Sequence, residues 1–243
     1  MRTLLRPEAS TLRLTYALVA NLFIGLVGAM WLARRFVRAG LATPAQLGFR
    51  RAQHAVVALI VAAIAGFAVY ALQQPPTLTP VVMLNGFAQV LVVSIAEVLV
   101  CWVVLTAGLT RFVRAKNRVT QLIVGLVVSA VLFGAYHYAH SPPFNTFRMV
   151  TLLAAVGLVT GLFFLVSRDV YATIVFHNFL ALLGVLQAVD RAGALQAFTH
   201  PQLPLIAMAT LASVVLVVLH RLWLRPKASE AFTASVAGSA PAA

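Results

Sequence analysis

Three ionisable side chains stand where the sequence is otherwise hydrocarbon: Glu97, His137 and His177. Each lies in a different apolar run, 40 residues from the next, so only tertiary packing can bring them together. An ionisable group in a membrane interior costs about 2.5–3.5 kcal/mol on insertion scales, which makes each of the three a candidate for function. A carboxylate beside imidazoles can take a proton from water and polarise a carbonyl. The same set could ligate zinc. The structural alternatives are a neutral, hydrogen-bonded acid at Glu97, a helix-end histidine at His137 and a satisfied core histidine at His177.

The remaining titratable groups carry less. His140 could share a helix face with His137, but it abuts Ser141-Pro142-Pro143, where a helix must end, and reads as a solvated terminus. His54, His200 and His220 fall at span ends or in a loop and read as interfacial. Asp169, Asp190 and Glu230 fall in breaks or in the tail.

The elements that must position the three candidates follow from composition. Of 243 residues, 62% are apolar and 9% charged, against roughly 45–50% and about 25% in soluble domains. A soluble monomer is excluded. With about 20 residues needed per crossing, the apolar runs supply about seven spans, within limits of six to eight. They cover 14–33, 54–72, 81–109, 120–139, 147–166, 170–189 and 203–224. The first is too long for a signal-peptide core and is followed by Arg34, Arg35 and Arg38 instead of a small-residue cleavage site, so it reads as a retained span. The expected fold is an all-α, polytopic transmembrane bundle over residues 1–225. The Ala-, Ser-, Thr- and Gly-rich tail 226–243 has little to bury and is expected to be disordered.

The net charge of +13 would suggest nucleic acid in a soluble chain. Here almost every basic residue lies between apolar runs, where Lys and Arg fix orientation and meet anionic headgroups, so the bilayer is the expected partner and nucleic acid is not. If segments 34–53, 110–119, 167–169 and 221 onward are cytoplasmic, they hold 13 of the 18 basic residues. The N-terminus is then outside and the C-terminus inside, with Arg2, Arg6 and Arg13 left on the outer side. Cys101, alone in its run, can form no internal disulfide.

Around the three candidates the sequence resembles the CPBP family of intramembrane proteases, which includes the type II CAAX prenyl endopeptidases and proteins linked to bacteriocin processing and self-immunity. That family carries Glu-Glu-x-x-x-Arg, Phe-x-x-x-His and His-x-x-x-Asn on separate helices. Here Phe133-Gly134-Ala135-Tyr136-His137 keeps the second motif, a Gly157 to Gly161 helix follows, and Tyr171 to His177 leads into the third. The basic stretch Arg111 to Arg118 sits where the family often has a basic linker, and the likeness covers about 85–190. The departures are specific. If Glu97 is the first glutamate, the second glutamate and the arginine have become Val98 and Trp102, and the asparagine position is Ala181. Asn178 lies about 100° round the helix from His177 and cannot simply replace it. A shifted register would put Ala96 at the catalytic position and Cys101 at the arginine, leaving Glu97 buried without its partner; the first register is preferred.

The resemblance implies an endopeptidase acting on a membrane-anchored protein or peptide, with Glu97 activating water and His137 and His177 polarising the carbonyl or positioning the water. Tyr136, Tyr138, His140, Asn145 and Asn178 are the neighbours that could support them. No cofactor is expected; zinc held by Glu97, His137 and His177 is the alternative chemistry. An inactive member serving as a scaffold or immunity factor is the alternative from another class, motivated by the altered motifs. A transporter is disfavoured by the absence of an internal repeat. The expected location is a membrane, of the bacterial inner type. Near the end of span four His137 would lie toward the outer side, whereas CAAX-type processing in the family is cytoplasmic. Substrates would then be exported or membrane-anchored.

Overall fold

The computed structural model describes residues 10–112, 117–140 and 142–224. Arg2, Arg6, Arg114, Lys116, Ser141, Glu230 and the tail 226–243 lie outside the described residues. Within them the chain is helical, with no strands, and seven helices are long and apolar enough to cross a membrane. These are span 1 (Leu14–Arg38), span 2 (Ala52–Leu72), span 3 (Pro80–Thr110), span 4 (Arg118–Ala139), span 5 (Phe147–Ser167), span 6 (Val170–Arg191) and span 7 (Leu203–Leu224). The chain is an integral membrane protein of the expected class.

Helix ends follow local chemistry. Asn117, Thr146 and Asp169 accept backbone N–H bonds from Val119, Met149 and Ala172 and so cap spans 4, 5 and 6. Pro80 and Pro204 stand in the first turns of spans 3 and 7, where the missing N–H costs nothing. Span 1 runs on through Arg34, Arg35 and Arg38, beyond the expected end at 33. Arg34 lies over the Trp223 ring and Arg35 over Trp31, a cation–π arrangement suited to a membrane interface.

Spans 3 and 6 are the centre of the bundle: 61% of each apolar window is buried inside the protein, against 22–39% for the others. Span 6 packs chiefly on spans 2 and 3, and spans 4 and 5 pair with each other. Small residues permit the closest approaches. A methyl group at Gly25 of span 1 would collide with Ala96 of span 3, and one at Gly161 of span 5 would run into Leu126 and the Trp102 indole. Polar ties fix the rest. Asn178 accepts from Ser94 Oγ (2.8 Å) and donates to the Phe87 carbonyl, holding span 6 to span 3. Asn85 donates to the carbonyls of Phe198 and His200 and accepts from Gln202 N–H, anchoring the segment before span 7.

His220, at the end of span 7, is buried within the protein, paired with the Tyr171 hydroxyl at 2.7 Å and packed on Phe49. One residue departs from its sequence reading. Asp169, read as a break residue of little weight, is fully buried as the cap of span 6. Burial pushes its carboxyl above the usual aspartate range, opposed in part by backbone N–H bonds and by His54 and Arg50 nearby.

Candidate functional site

Span 3 brings Glu97 to the middle of the bundle and then changes its winding. Ordinary α-helix from Pro80 to Glu97 gives way to wide π-type turns over Val98–Leu105 before α-helix resumes at Thr106. Such turns recur at functional sites because they redirect side chains within one helix. The Thr106 hydroxyl donates to the Cys101 carbonyl and lies 3.0 Å from Ser129 Oγ, tying the rewound segment to span 4.

Glu97, His137 and His177, distant in sequence, meet in space. His177 Nε2 lies 3.0 Å from Glu97 Oε2, and His137 Nε2 lies 3.8 Å from Oε1. Tyr136, the residue before His137, donates its hydroxyl to Oε1. One carboxylate oxygen is therefore tied to span 6 and the other faces the end of span 4.

The ring partners decide the tautomers. His137 Nδ1 is 2.7 Å from the Phe133 carbonyl, an oxygen that can only accept, so Nδ1 carries the proton. A neutral His137 thus presents a bare Nε2 toward Glu97. His177 Nδ1 is 3.0 Å from Thr160 Oγ1, a hydroxyl that can donate, which leaves Nε2–H to bind a carboxylate at Glu97. The Phe-x-x-x-His spacing has a further use: Phe133 supplies the carbonyl under His137 and packs its ring edge-on against both histidines.

The site is the floor of an apolar cavity of about 410 Å³. Its walls come from the first halves of spans 1, 3, 5 and 7, from the second half of span 6, and from the loop after span 4. Gln73, His140, Phe144, Gln187 and Arg191 are gathered at one end of the bundle, opposite the basic loops. His140 stacks on His137 at 4.8 Å, and burial, then the neighbouring His137, hold it below the usual histidine range. It is a wall of the site where a solvated terminus was expected.

The other supporting candidates separate. Tyr138 is half exposed and Asn145 partly exposed, and neither lines the cavity. Asn178 is fully buried and committed to Ser94 and Phe87. Ala181, at the family's asparagine position, lines the cavity. Ala96 packs against Gly25, so the shifted register would aim its catalytic position at span 1, away from the histidines. Val98 and Trp102, where the resembling motif would place its ion pair, are fully buried in the main apolar cluster, where Trp102 packs on His177 and Phe133.

Sequence reasoning missed Thr160, which orients His177, and Asn21 and Gln89, which line the cavity. Thr160 lies inside the Gly157 to Gly161 stretch, but a threonine in an apolar helix gives no signal of its own. Among the described residues no three His, Cys, Asp or Glu side chains are grouped so as to hold a metal ion.

Residues 79–183 match a protein-family model described as type II CAAX prenyl endopeptidase Rce1-like. The match contains Glu97, His137 and His177 and overlaps most of the stretch, about 85–190, that resembles the CPBP family. No curated protein and no solved structure matches the chain.

Proposed function

We propose that this chain, whose residues 79–183 match the Rce1-like model of type II CAAX prenyl endopeptidases, is an intramembrane endopeptidase that hydrolyses a membrane-associated protein or peptide with water activated by Glu97. At family level the match supports a CAAX-type endopeptidase. The observation that carries the finer reading is a single carboxylate shared by two histidines at the floor of an apolar cavity, with the Tyr136 hydroxyl bound to one of its oxygens.

In this reading His177, braced by Thr160, holds Oε2 and fixes the carboxylate plane. Oε1 and the bare His137 Nε2 are 3.8 Å apart, close enough to share one water. Glu97 takes a proton from that water as its oxygen bonds to the carbonyl carbon. The same proton then passes from Glu97 to the departing amine as the C–N bond breaks. The Tyr136 hydroxyl is the donor best placed to turn toward the oxyanion, the task the absent asparagine at Ala181 would share. The apolar walls lower the local dielectric and strengthen each of these interactions.

By the charge-based orientation, the cavity mouth lies on the non-cytoplasmic side of a bacterial inner membrane, so substrates reach it from that side. Labelling of a cysteine at Asn117 from outside would overturn that orientation. The altered first and third motifs favour a second reading, a scaffold or immunity factor without catalysis. Comparison of membrane-protein termini in cells carrying the wild type or Glu97→Gln tests both: new termini that need Glu97 support the protease, and unaltered function in Glu97→Ala and His137→Ala supports the scaffold. Cleavage that stops with a strong chelator and returns with zinc would favour a zinc hydrolase.

A further inference from the structure

Two carboxamides line the cavity without hydrogen-bond partners on the protein. Asn21, on span 1, is 6% exposed, and its Nδ2 is buried with nothing to donate to; Gln89, on span 3, has a buried Oε1 with nothing to accept. Leaving such groups unpaired in an apolar site is costly, and a carboxamide can present either its donor or its acceptor by turning about its last bond. Both atoms are buried against the wall and must turn to face the cavity; once turned, they offer what an amide backbone needs, one donor and one acceptor. A helical segment has no free N–H or C=O to give them; an extended one has both at every residue.

Their position is fixed relative to Glu97. Gln89, Val93 and Glu97 recur at four-residue intervals on one face of span 3, and all three line the cavity. The rise from Gln89 to Glu97 is about 12 Å at 1.5 Å per residue, which about four residues of extended chain would cover at roughly 3.3 Å each. Span 1, carrying Asn21, packs along this part of span 3, with Gly25 against Ala96.

We propose that Asn21 and Gln89 form a backbone-binding ledge that takes an extended, non-helical peptide segment of about four residues and leads its scissile bond to Glu97. The inference rests on the protease reading and names its substrate class: an unwound or terminal segment, not an intact transmembrane helix. Asn21 lies outside the family match at 79–183, so the ledge combines a residue of the matched core with one from the preceding span.

The test uses full-length Glu97→Gln protein in lipid nanodiscs and fluorescein-labelled, myristoylated octapeptides of Ala, Val, Leu and Ser, with binding read by anisotropy. Asn21→Leu and Gln89→Leu are each expected to weaken binding about tenfold, the worth of one hydrogen bond in a dry site. N-methylating the peptide amides one at a time should find one position costing about tenfold in the parent and nothing in Gln89→Leu. Thermal stability of both variants should be unchanged or raised, because each loses an unpaired buried group; a fall in melting temperature with unchanged binding would make the residues merely structural and overturn the ledge. No binding by any octapeptide, or N-methyl penalties equal in parent and variants, would also overturn it. Wild-type cleavage is followed in parallel. Cleavage without coupling removes the ledge alone, and coupling without Glu97-dependent cleavage removes the protease reading alone.

Discussion

The two sides of span 3 at Glu97 could hardly be less alike. Toward the loop after span 4 the helix faces an open cavity with an ionisable cluster on its floor and unpaired carboxamides in its walls. On the other side, just after Glu97, Val98, Leu99 and Trp102 are sealed in the largest apolar cluster among the described residues, with Phe133 and Phe164. In the resembling family an ion pair would stand at Val98 and Trp102. Replacing a buried pair by packing is often neutral or stabilising, whereas losing one partner alone strands a charge. The difference teaches that span 3 is packed without charge on one side of Glu97 and keeps its ionisable group on the side that faces the cavity.

Substitutions on the two sides should therefore fail differently. The largest effect is expected on the open side: Glu97→Gln should lower cleavage of a lipid-anchored fluorogenic peptide by about 10³-fold or more while leaving melting temperature nearly unchanged. On the packed side, Trp102→Ala should cost about 3–5 kcal/mol of stability, read as a large drop in the melting temperature of the detergent-solubilised protein. A packed-side variant that kept its stability would break the comparison.

Ala181→Asn sharpens it. The side chain would enter the cavity, where an unpaired amide should cost about 1–3 kcal/mol of stability, and the restored amide should raise the cleavage rate by up to about tenfold if it reaches the oxyanion. Tyr136→Phe removes the hydroxyl on Glu97 and should slow cleavage by a similar factor, chiefly in kcat.

The smallest effect lies away from both sides, at Asp169. Its pKa is raised in the folded protein, so the folded state favours the protonated acid, and this contribution is lost as pH rises through the folded value. Asp169→Asn keeps a capping oxygen and removes the titration. The variant should match the wild type in strongly acidic buffer and become slightly more stable relative to it as pH rises above the ordinary aspartate range, read by thermal melts across that interval.

Much of this organisation is legible in the sequence, and for different reasons. Seven spans can be read because hydrocarbon admits few polar residues, and Glu97, His137 and His177 stand out by the same cost. Thr160, Asn21 and Gln89 do not stand out, because uncharged polar residues are ordinary in membrane helices and only their neighbours give them meaning. His140 reads as solvated because the prolines after it mark a helix end but not what that end packs against. Asp169 shows the reverse: a break between two helices reads as solvent-facing, yet here it is buried as a cap. The rewinding of span 3 after Glu97 has no marker at all, since Val98 to Leu105 contains neither glycine nor proline.

The central claim is that the Glu97 carboxylate activates the attacking water. Its most direct test is the single-turnover rate of the purified, full-length chain in nanodiscs on a lipid-anchored fluorogenic peptide, with a strong chelator present, for the wild type and Glu97→Gln side by side. The expected result is cleavage by the wild type and none measurable by the variant, with both proteins equally folded. Equal rates in the two would contradict the claim.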